Sequence, residues 1–316
     1  MGQAVLTVLY MVIAMFGIIG FGAWMTHKRW IDAPVSDFMA KVVTRVALPA
    51  MILSNFNQYF TRDQMVQSLV NLPAPMISMT ACTLLAWGIA YATQLKKNRR
   101  GLFVSMFAYS NTVFLGLPVC EAIFGESAIP LALYFYLANT LLFWTLAVWG
   151  IARDGQKGPV PWKQWLARLF SPPIVMTLVA GAVTYFQIPV PSFVLSGAKY
   201  LAGLCTPLAL LFIGATLYAS VKNKLRWFPG LGWMMAGRML IGPVLCLFFC
   251  WLLRVNALIT QVFMIQACMP AMSQTPMVAR TYGADEEFAA AGTAMSTVLC
   301  LAALPVVRVL QMALMG

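Results

Sequence analysis

Residues 110–125 read SNTVFLGLPVCEAIFG, and this stretch decides the fold. Its flanks are apolar enough for the whole segment to cross a bilayer as one helix. However, Asn111, Thr112, Gly116, Pro118 and Gly125 all lie inside it. Proline removes one backbone donor and clashes with the preceding turn of a helix. The stretch therefore predicts a membrane-spanning helix that is interrupted along its length.

The composition places the rest of the chain in the membrane as well. Of the 316 residues, 61% are hydrophobic and only 9% are charged, whereas a soluble domain carries roughly a quarter charged residues. Most charges fall between apolar runs of about the 20 residues that cross hydrocarbon. We expect an all-α integral membrane protein with ten transmembrane helices, called spans one to ten below. They are predicted at 3–24, 35–56, 68–94, 101–124, 129–151, 172–187, 196–220, 230–253, 258–282 and 288–314.

The net charge of +12 is explained by topology. Fourteen of the 21 lysines and arginines lie on the loops after odd-numbered spans, against Arg62, Arg254 and Arg308 on the other side. Cytoplasmic loops carry such an excess of basic residues. We therefore expect a multi-pass protein of the bacterial cytoplasmic (inner) membrane with both termini outside, surrounded by lipid and with no nucleic-acid partner.

Cofactor and enzyme chemistry find little support in the chain. The seven cysteines lie within apolar segments, and the one histidine, His27, lies in a loop. This pattern is neither a disulfide framework nor a metal site. No Gly-x-Ser-x-Gly, HExxH or P-loop motif occurs. We expect no metal, no cofactor and no enzymatic activity.

The two halves of the chain repeat each other at an offset of 158 residues. The offset aligns Lys41 with Lys199, and three further pairs: Pro49 with Pro207, Pro118 with Pro276, and Gly125 with Gly283. Five spans per half mean that the second half enters the membrane from the opposite side, as in the inverted repeats of secondary transporters. The predicted division is a first repeat at 1–152, a cytoplasmic connection with a short interfacial helix at 153–171, and a second repeat at 172–316.

The repeat makes the interruption a paired feature. Span nine contains Pro270 and Pro276 on either side of Ser273, Gln274 and Thr275. Unpaired backbone survives in a membrane only inside protein or beside a water-filled cavity. Two broken helices that cross at the midplane would each present a half-helix N-terminus, whose N–H groups attract anions. We therefore predict a substrate-binding site at the crossing of spans four and nine.

At these residues the sequence resembles the auxin efflux carrier family, which includes plant auxin exporters and bacterial malate or malonate permeases. The pattern Asn-Thr-x-x-x-Gly-x-Pro matches Asn111, Thr112, Gly116 and Pro118. Span eight is similar in RMLIGP (238–243), span two in ALPA (47–50), and span five places Asn139 where plant members have a polar ligand-contacting residue. Glu121 departs from the family, because plant members tend to have lysine there.

The resemblance implies a scaffold of spans one, two, six and seven and a moving domain of spans three to five and eight to ten. It also implies a homodimer formed through the scaffold. The predicted substrate-binding residues are Asn111, Thr112, Gly116, Pro118, Asn139, Pro270, Ser273, Gln274, Thr275 and Pro276. Each polar member has an alternative role as a helix cap or as interhelical glue.

Two ionisable residues inside the spans are candidates for proton or charge coupling. Glu121 is the one acid well inside a span, where desolvation would favour its protonated form; a solvated or salt-bridged carboxylate is the alternative. Arg238 lies two turns into span eight and would either pair with a carbonyl or help to hold an anion.

Together these features predict a secondary active transporter of a small organic anion, a carboxylate, that works by elevator-type alternating access. Coupling to H⁺ is favoured over Na⁺, because no central acid pair suits a sodium cage. A sodium-coupled bile-acid-type symporter is the alternative transporter, and a passive channel or receptor is the alternative from another class.

Overall fold

The computed structural model describes residues 2–59, 61–155, 172–222 and 226–315, and these residues are all-helical apart from turns and one isolated β-bridge. Four π-turns occur at Val43–Ala47, Thr112–Gly116, Phe143–Ala147 and Gly237–Ile241, and each leads directly into the helix that follows it. The α-helices are α1 Gly2–His27, α2 Ala33–Val42, α3 Leu48–Tyr59, α4 Arg62–Leu69, α5 Pro73–Ala92, α6 Lys97–Ala108, α7 Leu117–Phe124, α8 Ile129–Leu142, α9 Val148–Asp154, α10 Pro172–Tyr185, α11 Ser192–Ala202, α12 Cys205–Lys222, α13 Leu231–Ala236, α14 Gly242–Leu252, α15 Ala257–Ala267, α16 Thr275–Tyr282 and α17 Glu286–Met315.

Five helical stretches of the described residues are long and apolar enough to cross a membrane. They are Pro73–Ala92, Glu126–Asp154, Ser192–Lys222, Leu231–Leu252 and Glu286–Leu304. Four shorter apolar stretches accompany them, at Ile13–His27, Thr112–Phe124, Pro172–Tyr185 and Ala257–Ala267. The predicted all-helical character is therefore confirmed for the described residues, and the long apolar stretches are consistent with a multi-pass membrane protein. The number of ten spans and their inverted repeat remain predictions.

Prolines determine where three of the π-turns lie. The π-turns that end at Ala47, Gly116 and Ile241 each stop two residues before a proline, namely Pro49, Pro118 and Pro243. A proline cannot donate to the carbonyl four residues earlier, and its ring clashes with that carbonyl. A local i→i+5 turn widens the helix at that point, so the helix passes the proline without a break.

The helix boundaries correct two predicted spans. Span three does not begin at 68: α4 ends at Leu69, and a separate α5 begins at Pro73, because a proline is tolerated only in the first turn of a helix. Span seven begins earlier, at Ser192, and contains a turn at Gly203 just ahead of Pro207. The interfacial helix predicted within 153–171 falls largely at 156–171, outside the described residues.

The chain forms two compact units, and each takes helices from both halves of the sequence. The first comprises Met1–Val70, Val113–Tyr134 and Phe170–Ala219. In this unit α10 and α11 pack on α3. Helix α1 approaches α12 so closely that a Cβ at Gly22 would lie 2.5 Å from the carbonyl oxygen of Leu211.

The second unit comprises Asn71–Thr112, Phe135–Leu169 and Ser220–Gly316. Helix α6 packs between α5 and α9, and a Cβ at Gly101 would lie 2.5 Å from the backbone of Gly150. The backbone N–H of Gly101 donates to the buried carboxylate of Asp154 at 3.0 Å. This close contact fixes the position of α6, the helix that leads into the first interruption.

Candidate substrate site at two paired helix interruptions

The first interruption lies between α6 and the π-turn at Thr112–Gly116. Tyr109 has extended backbone angles, φ −112° and ψ 134°, and helical structure resumes at Thr112. The break is therefore at 109–111, seven residues or more before Pro118. The prediction that Pro118 makes the break is wrong, because the π-turn accommodates this proline in a helix that continues to Phe124.

The second interruption lies between α15 and α16, at residues 268–274. Pro270 lies inside it, and Pro276 occupies the first turn of α16, where its missing N–H is not needed. The second half-helix thus begins at Thr275, one residue before Pro276. The predicted interruption of span nine is therefore present, with both prolines in the positions expected of them.

The two interruptions pair with each other. Ser110 and Ala271 form an isolated antiparallel β-bridge, and the backbone N–H of Asn111 donates to the carbonyl oxygen of Pro270 at 2.8 Å. The side-chain amide of Asn111 also donates to Ser273 Oγ at 2.6 Å. The structure therefore brings Asn111 into contact with Pro270 and Ser273, which lie about 160 residues further along the sequence.

Asn139, on α8, holds the first interruption in place. Its Oδ1 accepts from the backbone N–H of Ser110 at 2.9 Å, and its Nδ2 donates to the carbonyl oxygen of the same residue at 3.0 Å. The residue is fully buried. Asn139 therefore supplies the partners that a break in buried backbone requires, which is the structural alternative to the predicted ligand contact; the ligand contact itself stays a prediction.

The second interruption is held in a similar way from α17 and α6. Ser296 Oγ accepts from the backbone N–H of Ala271 at 3.1 Å, and Cys300 Sγ donates to the carbonyl oxygen of Cys268 at 3.3 Å. Thr275 is fully buried, with its hydroxyl 3.4 Å from that of Ser105 on α6. Thr275 thus contacts α6, and its ligand contact stays a prediction. Sequence reasoning missed Ser296, because a serine within an apolar helix gives no sign of the backbone group it will meet.

Exposure separates the remaining predicted residues. Ser273, Gln274 and Pro276 are partly exposed, whereas Asn111 and Thr112 are buried at 4% and 2% exposure. Gln274 immediately precedes α16, and its side chain does not cap that helix. Gly116 and Pro118 are buried at the junction of the π-turn and α7. The polar surface of the paired interruptions is therefore formed by Ser273 and Gln274, with Asn111 behind Ser273.

Arg238, in the π-turn between α13 and α14, is buried at 2% exposure and donates to backbone carbonyls. Nη1 lies 3.2 Å from the oxygen of Phe107, and Nη2 lies 2.6 Å from the oxygen of Ala267. Of the two roles predicted for this residue, the structure shows carbonyl pairing.

Glu121 belongs to the first compact unit. It lies on α7, half-buried, and its Oε2 accepts from the hydroxyl of Thr206 on α12 at 2.7 Å. The nearby Glu126 accepts from the hydroxyl of Tyr59 on α3, also at 2.7 Å. Both carboxylates thus connect the chain around α7 to other helices of the same unit.

Buried polar atoms without a hydrogen-bond partner concentrate around the interruptions. Among the described residues six such side-chain atoms occur, and five belong to Ser110, Thr140, Arg238 and Gln266; the sixth is on Thr184. Ser110 and Gln266 lie in or beside an interruption, Thr140 follows Asn139, and Arg238 contacts Ala267. Leaving a buried polar group unpaired costs about 1–3 kcal/mol. Each such group needs an explanation, which a ligand, an ion or an ordered water beside it would provide.

Comparison with known proteins identifies the family. A family model described as membrane transport protein matches residues 7–308. Two archaeal relatives, each named an uncharacterised transporter, align over most of both chains. The protein of Methanocaldococcus jannaschii is 22% identical over 277 residues, which is 84% of this chain and 86% of its own length. The protein of Methanothermobacter thermautotrophicus is 28% identical over 275 residues, which is 84% of this chain and 85% of its own. With paired interruptions in a helical membrane protein and a family match over nearly its whole length, the chain belongs to the auxin efflux carrier family of membrane transport proteins.

Proposed function

We propose that this membrane transport protein is a secondary active carrier of a small organic anion, and that the carboxylate of the substrate binds at the paired interruptions. The observation that supports the site is the contact between Asn111, Pro270 and Ser273, which places two helix restarts beside one another. Helix restarts expose N–H groups and a partial positive charge of about +0.5 each. A single carboxylate would be matched by two such ends.

The polar surface described above supplies the side-chain contacts in this proposal. Ser273 and Gln274 are partly exposed, so both can reach a ligand without a rearrangement of the backbone. Asn111 donates to Ser273 and would orient its hydroxyl towards the substrate. Thr112, Pro270 and Pro276, in the same compact unit as these side chains, shape the backbone of the site; Gly116 and Pro118 belong to the other unit.

The grouping of helices supports alternating access of the elevator type. Each compact unit draws on both halves of the chain, as it would if inverted repeats were divided between a scaffold and a moving domain. The division follows the one implied by the family resemblance, except that 113–134 groups with α1 to α4 and α10 to α12. In the proposed cycle the group that contains both interruptions carries the substrate. A homodimer through the scaffold, an inner-membrane location and outward termini belong to the same proposal.

The coupling ion is proposed to be H⁺. No group of three or more His, Cys, Asp or Glu side chains that could hold a metal ion occurs among the described residues. Glu121 is bonded to a neutral hydroxyl and not to a basic group, so it is the residue that we propose to carry the proton.

The first experiment identifies the substrate class. Purified protein is screened by thermal shift against acetate, lactate, malonate, malate and succinate, each with and without sodium and at pH 5.5 and 7.5. A ligand that binds the folded state raises the melting temperature in proportion to the logarithm of its concentration over Kd. Stabilisation only in sodium would favour a sodium symporter of the bile-acid type over the proposed proton coupling.

The second experiment tests the site. The acid that stabilises the protein most is followed in uptake and counterflow by proteoliposomes that contain wild type, Asn111→Ala, Ser273→Ala or the control Asn256→Ala. Asn256 is an exposed helix cap far along α15 from the interruption. We expect uptake to fall at least about tenfold in Ser273→Ala, as the loss of one hydrogen bond to a charged ligand predicts, and to fall in Asn111→Ala as well, because the Ser273 hydroxyl loses the bond that orients it. Full activity of both site variants would remove the site, and uptake without counterflow would indicate a channel.

A further inference from the structure

Arg238 is a buried charge that forms no ion pair with an acidic side chain of the described residues. It is among the largest fully buried side chains of the described residues, and the ion pairs of the described residues, Arg99–Asp285, Arg153–Asp154 and Arg280–Glu286, do not include it. Burial of an uncompensated charge is prohibitively costly. Some other negative charge must therefore stabilise this guanidinium.

The carbonyls that Arg238 contacts are both at helix C-termini. Phe107 is the penultimate residue of α6, and Ala267 is the last residue of α15. The last carbonyls of a helix have no intrahelical partner, and the end of the helix carries a partial charge of about −0.5. Two such ends supply about one negative charge, which matches the single positive charge of the guanidinium.

These two helices are the ones that lead into the paired interruptions. Helix α6 ends at the first interruption and α15 ends at the second. Thus one side chain from a third element bonds to both broken helices at the point where each stops. The fit is close: Gly237, adjacent to Arg238, lies against the ring of Phe107, and a side chain at this position would overlap that ring.

We infer that Arg238 is the shared counter-ion and tie of the two interrupted helices, a positioning residue that keeps their ends together. On this assignment the guanidinium offsets the negative half-helix ends, so that the positive ends at the restarts of both helices act on the substrate undiminished. This second consequence rests on the proposed function, whereas the tie itself does not. A planar guanidinium reaches two carbonyls with separate nitrogens, which a lysine ammonium on a flexible stem does less well.

The test measures backbone hydrogen exchange by mass spectrometry in the purified full-length protein. The variants are Arg238→Met, Arg238→Lys and the control Arg254→Met, which changes an exposed arginine just beyond the end of α14. We expect amides at 109–112 and 268–274 to exchange at least about tenfold faster in Arg238→Met, since a charge-assisted hydrogen bond is lost at each interruption. Arg238→Lys should give a smaller increase at the same segments, and Arg254→Met none.

Two results would overturn the assignment. One is unchanged exchange at the interruptions in Arg238→Met. The other is an equal increase throughout the second unit, including the contact of Asp285 with the carbonyl of Asn98 remote from both breaks, because that would be general destabilisation. Should Arg238→Met not fold, Arg238→Lys decides: exchange equal to wild type would show that charge alone suffices and that the two-carbonyl tie is not needed.

A parallel measurement separates the tie from the transport function. Malonate and lactate uptake by proteoliposomes is measured for wild type and Arg238→Lys, and KM is compared with the maximal rate. For Arg238→Lys we expect the fold-increase in KM to be at least about three times the fold-decrease in the maximal rate, because the lysine displaces the site without removing a substrate contact. If wild type transports neither acid while the exchange pattern holds, the proposed function fails and the tie stands. If instead wild type transports one of the acids and Arg238→Met exchanges like wild type, the tie fails and the proposed function stands.

Discussion

Replacing Asn139 should show how much stability a single side chain gives to a broken helix. Its amide forms two hydrogen bonds with the backbone of Ser110, at 2.9 and 3.0 Å, in a fully buried position. Asn139→Leu keeps a side chain of comparable size but leaves the N–H of Ser110 without its partner and removes one of the two bonds of its C=O, which keeps the N–H of Thr112 at 3.0 Å. The unpaired N–H costs about 1–3 kcal/mol and the lost second bond to the carbonyl about 0.5–1.5 kcal/mol, so we expect a loss of about 1.5–4.5 kcal/mol. Asn139→Ala should cost more, because it also leaves a cavity.

The assay is the apparent melting temperature of the detergent-purified protein. Since 1 kcal/mol corresponds to about 2–4 °C in chains of 150–250 residues, Asn139→Leu should melt roughly 5–15 °C below wild type. Asn256→Ala is the matched control: it removes an exposed N-cap bond to Leu258, worth about 1 kcal/mol, and should lower the melting temperature by only about 2–4 °C. A melting temperature for Asn139→Leu within the range of the control would refute the role of Asn139 as the clamp of the interruption.

Two further comparisons use neighbouring features of the second unit. Gly101→Ala places a Cβ 2.5 Å from the backbone of Gly150, and this overpacking should destabilise the protein by about 1–3 kcal/mol. The control Gly88→Ala meets nothing within 4 Å in an exposed part of α5 and should stabilise the protein by about 0.5–1 kcal/mol. Equal melting temperatures for the two variants would contradict the close packing of α6 and α9. The ion pairs Arg99–Asp285 and Arg280–Glu286 have the same 2.6 Å separation but differ in side-chain exposure, at 13% and 16% against 76% and 40%. Double-mutant cycles read by thermal melting should give clear coupling for the first pair and no measurable coupling for the second, because solvent screens exposed pairs; comparable coupling would refute this.

The sequence predicted the class of structure well, because hydrophobic length is a local property. The apolar runs at 68–94, 129–151, 196–220, 230–253 and 288–314 correspond to the five helical stretches that are long enough to cross a membrane. The paired interruptions were also predictable, since Pro118 and Pro276 occur at equivalent positions of the two halves. What the pattern could not provide was the site of the first break. A proline in the interior of a helix can end the helix or be accommodated by a π-turn, and partners elsewhere in the chain determine which of the two occurs.

Those partners are distant in sequence and chemically inconspicuous. The break at 109–111 is stabilised by Asn139 on α8 and by Pro270 in the opposite interruption. The break at 268–274 uses Ser296 on α17 and the sulfur of Cys300. None of these residues forms a motif with the backbone group that it binds. Local sequence therefore indicated that a break must occur but could not indicate which residues it would join.

Polar residues that were predicted to contact the substrate also bond to the protein itself. Every residue of interrupted backbone in a membrane protein needs a hydrogen-bond partner, because no lipid tail can provide one. A polar side chain inside a span can therefore form hydrogen bonds either with the broken backbone or with the substrate. Burial distinguishes them here: Asn139, Thr275 and Arg238 are fully enclosed and bond to protein, whereas Ser273 and Gln274 retain exposed surface. The polar residues that the interruption does not enclose are therefore the ones expected to contact the substrate, and substitutions at Ser273 and Gln274 should alter substrate preference before they alter stability.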